Sequence, residues 1–336
     1  MKIPEKIFSV GFNNSNDFFD LIQDVSKYVW NIYFSIPGME MASGRPFNKY
    51  KEEFKSNNFL NKLSEISIRY NISLELLFNS SYDLISPDSK CEYIYNHLLK
   101  LKDQKIKISR LTLSDRLTTI YLKTYYKQFF NDNNLLIENS IADTTKYLSI
   151  NEVDQEFQIF DNLKIPPDNY RNITFLNKLI KKYTPNLFTL TLNEGCIHNC
   201  PHRIIHNFLH INEVKLVKGT YCRYILNKYN YNHLLYLRRI LPASFPVFIK
   251  MGFKKFKIAN RNLSTKQTKD LIDSYVNYKN PIVYDLCKKF DNHFIETYLS
   301  FIKTCDFKCS DHNCSLCKNK YVPIDNKRKG EICLNE

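Results

Sequence analysis

The sequence predicts an α/β fold: a TIM-like (β/α)8 barrel followed by a C-terminal helical, cysteine-rich extension. Three observations carry this expectation. Short apolar, β-branched or aromatic runs alternate with longer helix-compatible stretches, as in repeated βα units. The runs number eight, the count of that barrel, and favour it over a doubly wound sheet, which would alternate in a similar way. Most runs end in polar residues, which in a barrel would ring the C-terminal face where active sites sit.

The predicted strands are KIFSVGF (6–12), NIYFSI (31–36), SLELLF (73–78), ISRLTLS (108–114), NLLIENS (134–140), FQIFDN (157–162), LFTLTLN (187–193) and KFKIAN (255–260). Each is a short run rich in β-branched, aromatic or other apolar residues. Helix-compatible segments lie between them, among them residues 16–29, 90–102, 116–130 and 172–183. Seven strands are followed by candidate rim residues: Asn13 and Asn14; Asn79, Ser80 and Ser81; Ser114, Asp115 and Arg116; Asn139 and Ser140; Asp161 and Asn162; Asn193 and Glu194; Asn260 and Arg261. Such residues also terminate ordinary strands as turn formers, so each is a candidate only. The expected division is a barrel over 1–262 carrying the site, then a mainly helical extension over 263–336 with a cysteine cluster and a basic tail.

With 48 Lys and Arg against 34 Asp and Glu, the net charge is +14. A basic balance favours nucleic acid, an anionic membrane surface or an anionic substrate. The abundance of Lys, Asn, Ile and Tyr gives an equally good compositional account. Only seven glycines are present, and no Gly-rich phosphate loop of the usual kind appears. No apolar run is long enough for a membrane span, and MKIPEKIFSVGF lacks the apolar core of a signal peptide. The expectation is a cytoplasmic protein with reduced thiols, in which clustered cysteines point to metal more than to disulfides.

Seven of the ten cysteines fall in two groups. The tail reads Cys305-x3-Cys309-x4-Cys314-x2-Cys317. Its last three have the spacing of plant-type iron–sulfur loops, with Cys305 or Cys333 to complete the set. Structural zinc is the alternative at these cysteines, although zinc sites usually split their ligands into two knuckles. The other group follows the seventh run, in LTLNEGCIHNCPHRIIHNFLH (190–210): Cys196-x3-Cys200, with Cys222 downstream. Arginine at 203 excludes the C-x3-C-x2-C spacing of a radical-SAM loop. The fourth ligand is open among Cys287, Cys91 and a donor such as His198 or His206. Arg203 and His206 are three apart and would share one face of a helix beginning near Pro201. Arg203 suits a carboxylate or phosphate, and His206 a metal or a proton. Glu194 is either a base or a helix cap.

These residues resemble the peptidase U32 family. LTLNEGCIHNCPHRIIH looks like its Asn-Glu-x-Cys-x3-Cys-Pro-x-Arg-x2-His signature. FPVFIKMGFKKFKIANRN is similar to a segment ending in a Phe-Lys-Ile-x-Gly-Arg core, with Asn260 here in place of the glycine. CSDHNCSLCKNKY is similar to the C-terminal cysteine cluster. The resemblance implies a TIM-like barrel with an iron–sulfur cluster of the 4Fe-4S type at its C-terminal face. It implies metal ligands among Cys196, Cys200, Cys222, Cys305, Cys309, Cys314 and Cys317, and catalytic residues among Asn193, Glu194, Arg203, His206, Lys257 and Arg261. Several members of this family are tied to oxygen-independent hydroxylation of the ubiquinone ring, tRNA or ribosomal RNA.

Three readings follow. A cluster-dependent modifying enzyme would act on an anionic small molecule, RNA or peptide, with a partner protein or electron donor. A U32-type peptidase would pair Cys196 with His206 as nucleophile and base. A non-catalytic metal- or RNA-binding protein would use the positive charge and the aromatics, though the aromatics are spread along apolar faces as in a core.

Overall fold

The computed structural model of this protein describes residues 3–36, 58–79, 86–140, 147–170, 172–193, 240, 242, 244–260 and 263–278. Within these, eight strands form: β1 (Phe8–Gly11), β2 (Val29–Phe34), β3 (Ser73–Phe78), β4 (Arg110–Leu113), β5 (Leu136–Asn139), β6 (Leu163–Ile165), β7 (Phe188–Thr191) and β8 (Phe256–Ile258). The helices are α1 (Phe18–Val25), α2 (Asn58–Tyr70), α3 (Pro87–Asp103), α4 (Arg116–Tyr125), α5 (Lys127–Asp132), α6 (Ile150–Ile159), α7 (Ile173–Lys182), α8 (Phe245–Lys250) and α9 (Thr265–Val276).

The strands pair in the order β5-β4-β3-β2-β1-β8-β7-β6, every ladder parallel. The remaining seam, β5 to β6, has a single bridge, Glu138 with Asn162. Side chains complete it. Asp161 Oδ2 accepts from Ile137 N (2.8 Å) and Asn139 Oδ1 from Lys164 N (2.5 Å), while Asn139 Nδ2 donates to Lys164 O (3.3 Å). The sheet is thus a nearly closed (β/α)8 barrel, as expected from the alternation and the count.

Outward-facing strand residues such as Phe8, Val10, Ile32, Phe34, Leu111 and Leu190 are buried beneath the helices. Five of the described helices, α3, α4, α6, α7 and α9, begin where short polar side chains cap them. Ser86 accepts from Ser89 N ahead of Pro87, and Asp115 accepts from Leu117 N. Ser264 and Gln267 form a full capping box on α9. That last helix packs on the barrel wall: Tyr275 lies against Phe8 and Phe245, and its hydroxyl donates to Ile240 O (2.6 Å).

One expected strand is displaced. FQIFDN (157–162) does not form the sixth strand, because residues 157–159 finish α6. Ser149 caps that helix by accepting from Glu152 N, and Glu152 Oε2 accepts from Leu148 N (2.9 Å). The strand is instead the three-residue Leu163–Ile165. Asp161 and Asn162 therefore precede β6 on the N-terminal side, away from the C-terminal rim, and serve the seam. The expected helix 116–130 also breaks at Tyr126 into α4 and α5.

Gly11, the last residue of β1, sits where Tyr33 and Asn260 cross it. A Cβ there would lie 2.6 Å from Asn260 Oδ1 and from the Tyr33 ring. Both neighbours are fixed, since Asn260 brackets Gly11 through its N (2.9 Å) and O (2.7 Å) and Tyr33 donates to Ile258 O (2.6 Å). Gly11→Ala is expected to cost about 1–3 kcal/mol by overpacking. Urea unfolding measures this, and an unchanged midpoint would contradict the packing described.

Candidate functional site

The barrel interior is polar and charged where an ordinary barrel has layers of branched apolar side chains. Strand alternation turns Ser9, Asn31, Glu75, Arg110, Thr112, Glu138, Lys164, Thr189 and Lys257 to the face opposite the apolar residues that meet the helices. The contacts establish that they meet inside. Lys164 on β6 reaches Glu75 on β3 (2.9 Å) and Glu138 on β5 (3.0 Å), and β3 and β6 are not neighbours in the sheet. Thr112 donates to Glu75 and accepts from Lys164 (2.5 Å). Asn31 Nδ2 donates to Glu75 Oε2 (2.5 Å), and Thr189 donates to Glu138 Oε1 (2.6 Å).

The charges set each other's protonation. Burial pushes the Glu75 carboxyl up, but Lys164, Lys257, the Thr112 hydroxyl and Arg110 together hold it well below the usual range. Burial likewise acts against ionised Glu138, and Lys164 and Arg110 overcome it. For Lys164, burial favours the neutral amine, yet Glu138 and Glu75 keep the group above its ordinary value. It is therefore a charged strut and not a nucleophilic amine.

Above this cluster, at the C-terminal ends of the strands, the rim is pinned by amides. Asn193 Nδ2 donates to Ala259 O (2.6 Å), and its Oδ1 accepts from Ala259 N (2.7 Å). Both ends of this candidate catalytic side chain thus bind backbone, which ties the end of β7 to the end of β8. Asn260 does the same between β8 and β1. Lys257, the second candidate among the described residues, is carried by β8, and its Nζ lies 3.7 Å from the Tyr33 ring centre. It adds to the positive field that ionises Glu75. On the β1 side, Asn13 Nδ2 donates to Thr265 Oγ1 (3.0 Å), which donates to Asp17 Oδ1 (2.8 Å). Asp115 and Arg116 are structural: the first caps α4, and the second pairs with Glu156 (2.7 Å).

Glu194, Cys196, Cys200, Arg203, His206, Cys222, Arg261, Cys305, Cys309, Cys314 and Cys317 lie outside the described residues, as do Ser80, Ser81, His198, Cys287 and Cys333. Cys91 is described, and it is no ligand at the mouth. It is buried on α3, and its thiol donates to Thr118 O (3.2 Å). Burial first, then Asp115 and Asp88, pushes it up to about 12, so it stays protonated. Among the described residues no three His, Cys, Asp or Glu side chains form a metal site. A surface cavity of about 270 Å³ opens at the other end of the barrel, lined by Lys102, Lys105, Lys107 and Phe129. There the lysines complement the negative C-terminal ends of α3 and α5. No described helix is long and apolar enough to cross a membrane.

The interior charges are what strand-end reasoning missed. The signal was available: SLELLF, RLTL, LIEN, LKI and FKI each place one charged residue inside a short apolar strand. Such a residue needs an opposite charge facing it.

No family model matches the chain, and no curated protein matches it in sequence. Among solved structures it is similar to the U32 peptidase Mk0906, with a TM-score of 0.48 and 11% identity over 77% of this chain and 94% of that one. It is also similar to N-acetylneuraminate lyase from Fusobacterium nucleatum, at 0.42 and 11% over 97% and 95%. A third is Yersinia pestis DHPS with a pterine-sulfa conjugate, at 0.32 and 9% over 83% and 100%. At these scores the likenesses carry no argument about chemistry or substrate.

Removing one partner of the buried cluster leaves charge without compensation. Lys164→Met is expected to lose about 3–5 kcal/mol of stability, read by urea unfolding. The carboxyls of Glu75 and Glu138 lie below their unfolded values, so their contribution is complete above about pH 4.5 and is lost as pH falls towards the folded values. Wild type should weaken below that pH, and Glu75→Gln should flatten the acid limb. An acid limb of unchanged slope would contradict the ionised cluster.

Proposed function

We propose that this protein is a U32-like iron–sulfur barrel enzyme that modifies an anionic substrate by redox chemistry, with oxygen-independent hydroxylation the best match to its motifs. The observation that carries the reading is the join of β7 to β8. Asn193 binds the backbone of Ala259, two residues beyond Lys257, and the chain runs on from Asn193 to Glu194, Cys196 and Cys200. In sequence the cysteine motif thus follows directly on the strand end that Asn193 pins, at the end of the barrel where this architecture places its chemistry, which supports the reading.

The roles divide as follows. Cys196, Cys200 and Cys222, with Cys305, Cys309, Cys314 and Cys317, are the thiolates to hold a 4Fe-4S cluster, zinc being the alternative at the tail. When bound, a cluster supplies single-electron transfer. Lys257, Arg203 and Arg261 supply positive charge for a carboxylate or phosphate on a small molecule, RNA or peptide. The Tyr33 ring steadies Lys257, an interaction worth about 0.5–2 kcal/mol. Glu194 and His206 are the proton carriers. Replacing C–H by C–O with water as oxygen source releases two protons and two electrons, so a partner redox protein belongs to this reading. The peptidase reading rests on Cys196 and His206 alone.

Anaerobic purification of the full chain should give brown protein with broad absorption near ~400 nm and matched iron and sulfide. Cys196→Ala and Cys200→Ala should lower the iron content, whereas Lys257→Met should leave it unchanged. Colourless wild-type protein with stoichiometric zinc would end the redox reading and move the peptidase and binding readings ahead.

A further inference from the structure

The floor of the barrel, at the N-terminal ends of the strands, plays no part in the reading above. A β-bulge shapes it. Phe8 pairs with Val29 but Ser9 with Asn31, so Trp30 is an extra residue in β2 and is re-aimed. Two cations share its ring: the Arg110 guanidinium carbon and Lys255 Nζ each lie 5.2 Å from the ring centre. Arg110 is only 4% exposed. Its Nε and Nη2, together with Trp30 Nε1, are buried donors with no hydrogen-bond partner among the described residues.

Of the neighbouring acceptors, Glu138 Oε1 is taken by Thr189, and Glu138 Oε2 is ion-paired with Lys164 but is without a hydrogen bond among the described residues. Glu138 Oε1 stands 3.8 Å from Arg110 Nη2, too far for a hydrogen bond, while Glu138 engages Lys164 and Thr189 at 3.0 and 2.6 Å. Asn162 Oδ1 meets Lys255 Nζ only at 3.5 Å. Among the described residues, charge is unbalanced as well. Arg110, Lys164, Lys255 and Lys257 act on the cluster as cations, against the carboxylates of Glu75 and Glu138. Burial, and then Arg110, lowers Lys255 to about 8. Each unsatisfied buried donor costs about 1–3 kcal/mol, and three of them belong to the Arg110–Trp30 pair. A water would offer lone pairs but no charge.

We propose that a small inorganic anion of halide size binds at the barrel floor between Arg110, Trp30 Nε1 and Lys255, and supplies the missing counter-charge of the interior. Arg110 and Lys255 both lie 5.2 Å from the one ring centre, and Arg110 is buried. Both facts suit a monatomic ion better than an organic one. This site stands apart from the mouth and does not depend on the function proposed there.

Crystals of the full chain grown in sodium bromide, measured at the bromine edge, provide the test. An anomalous peak within contact of Arg110, Trp30 Nε1 and Lys255 is expected. In solution, chloride or bromide should raise the unfolding midpoint over isethionate at equal ionic strength. Trp30→Phe keeps the ring and removes the donor, and should weaken the halide dependence about tenfold in apparent affinity. A water or empty density at that position would overturn the proposal, as would a midpoint indifferent to halide in wild type. If the variant does not fold, the wild-type bromide data decide alone.

Discussion

Lys164 held between Glu75 and Glu138 is the interaction on which the rest of this barrel depends. β6 is only three residues long and meets β5 at one backbone bridge, so the ladder cannot close the barrel unaided. The ammonium of Lys164 crosses the interior to carboxylates on β3 and β5 and draws the weak seam inward. Such a cluster is not a source of large net stability, because desolvation offsets most of the Coulombic gain. It specifies geometry instead. Only the closed arrangement satisfies all three charges, and a slip of one residue in β6 would turn Lys164 out among apolar helices.

The same logic runs up to the rim. Asn139, Asn193 and Asn260 each exchange side-chain hydrogen bonds with the backbone of another strand, and so extend three seams beyond the end of the ladder. Rigid strand ends are what a site built on loops requires. The cost appears at Gly11, where Tyr33 and Asn260 leave no space for a side chain. Lys257 joins the two levels, with its ammonium over the Tyr33 ring and its field felt by Glu75 below.

Much of the barrel was legible in the sequence because its outward strand faces are apolar and period-two, and its helices carry ordinary caps. β6 was not. Phe157, Ile159 and Phe160 look strand-like, whereas Lys164 interrupts the true strand, and Ser149 with Glu152 marked the helix start that should have decided the matter. The candidate site was legible as motifs but only partly as roles. Asn193 reads as a catalytic amide in a signature, and in the structure its side chain holds the backbone of Ala259. Cys91 reads as a spare ligand and is a protonated core thiol. The interior ions escaped notice because attention to strand ends passes over single charges in mid-strand, whose partners are distant in sequence.

The central claim is that a redox centre sits over the mouth that Lys257 and the β7–β8 join define. Anomalous diffraction at the iron edge, on crystals of anaerobically purified full chain, tests it most directly. The account predicts an iron peak above the C-terminal ends of β7 and β8, within reach of the Asn193 strand end. Iron found only away from that mouth, or a zinc signal in its place, would contradict it.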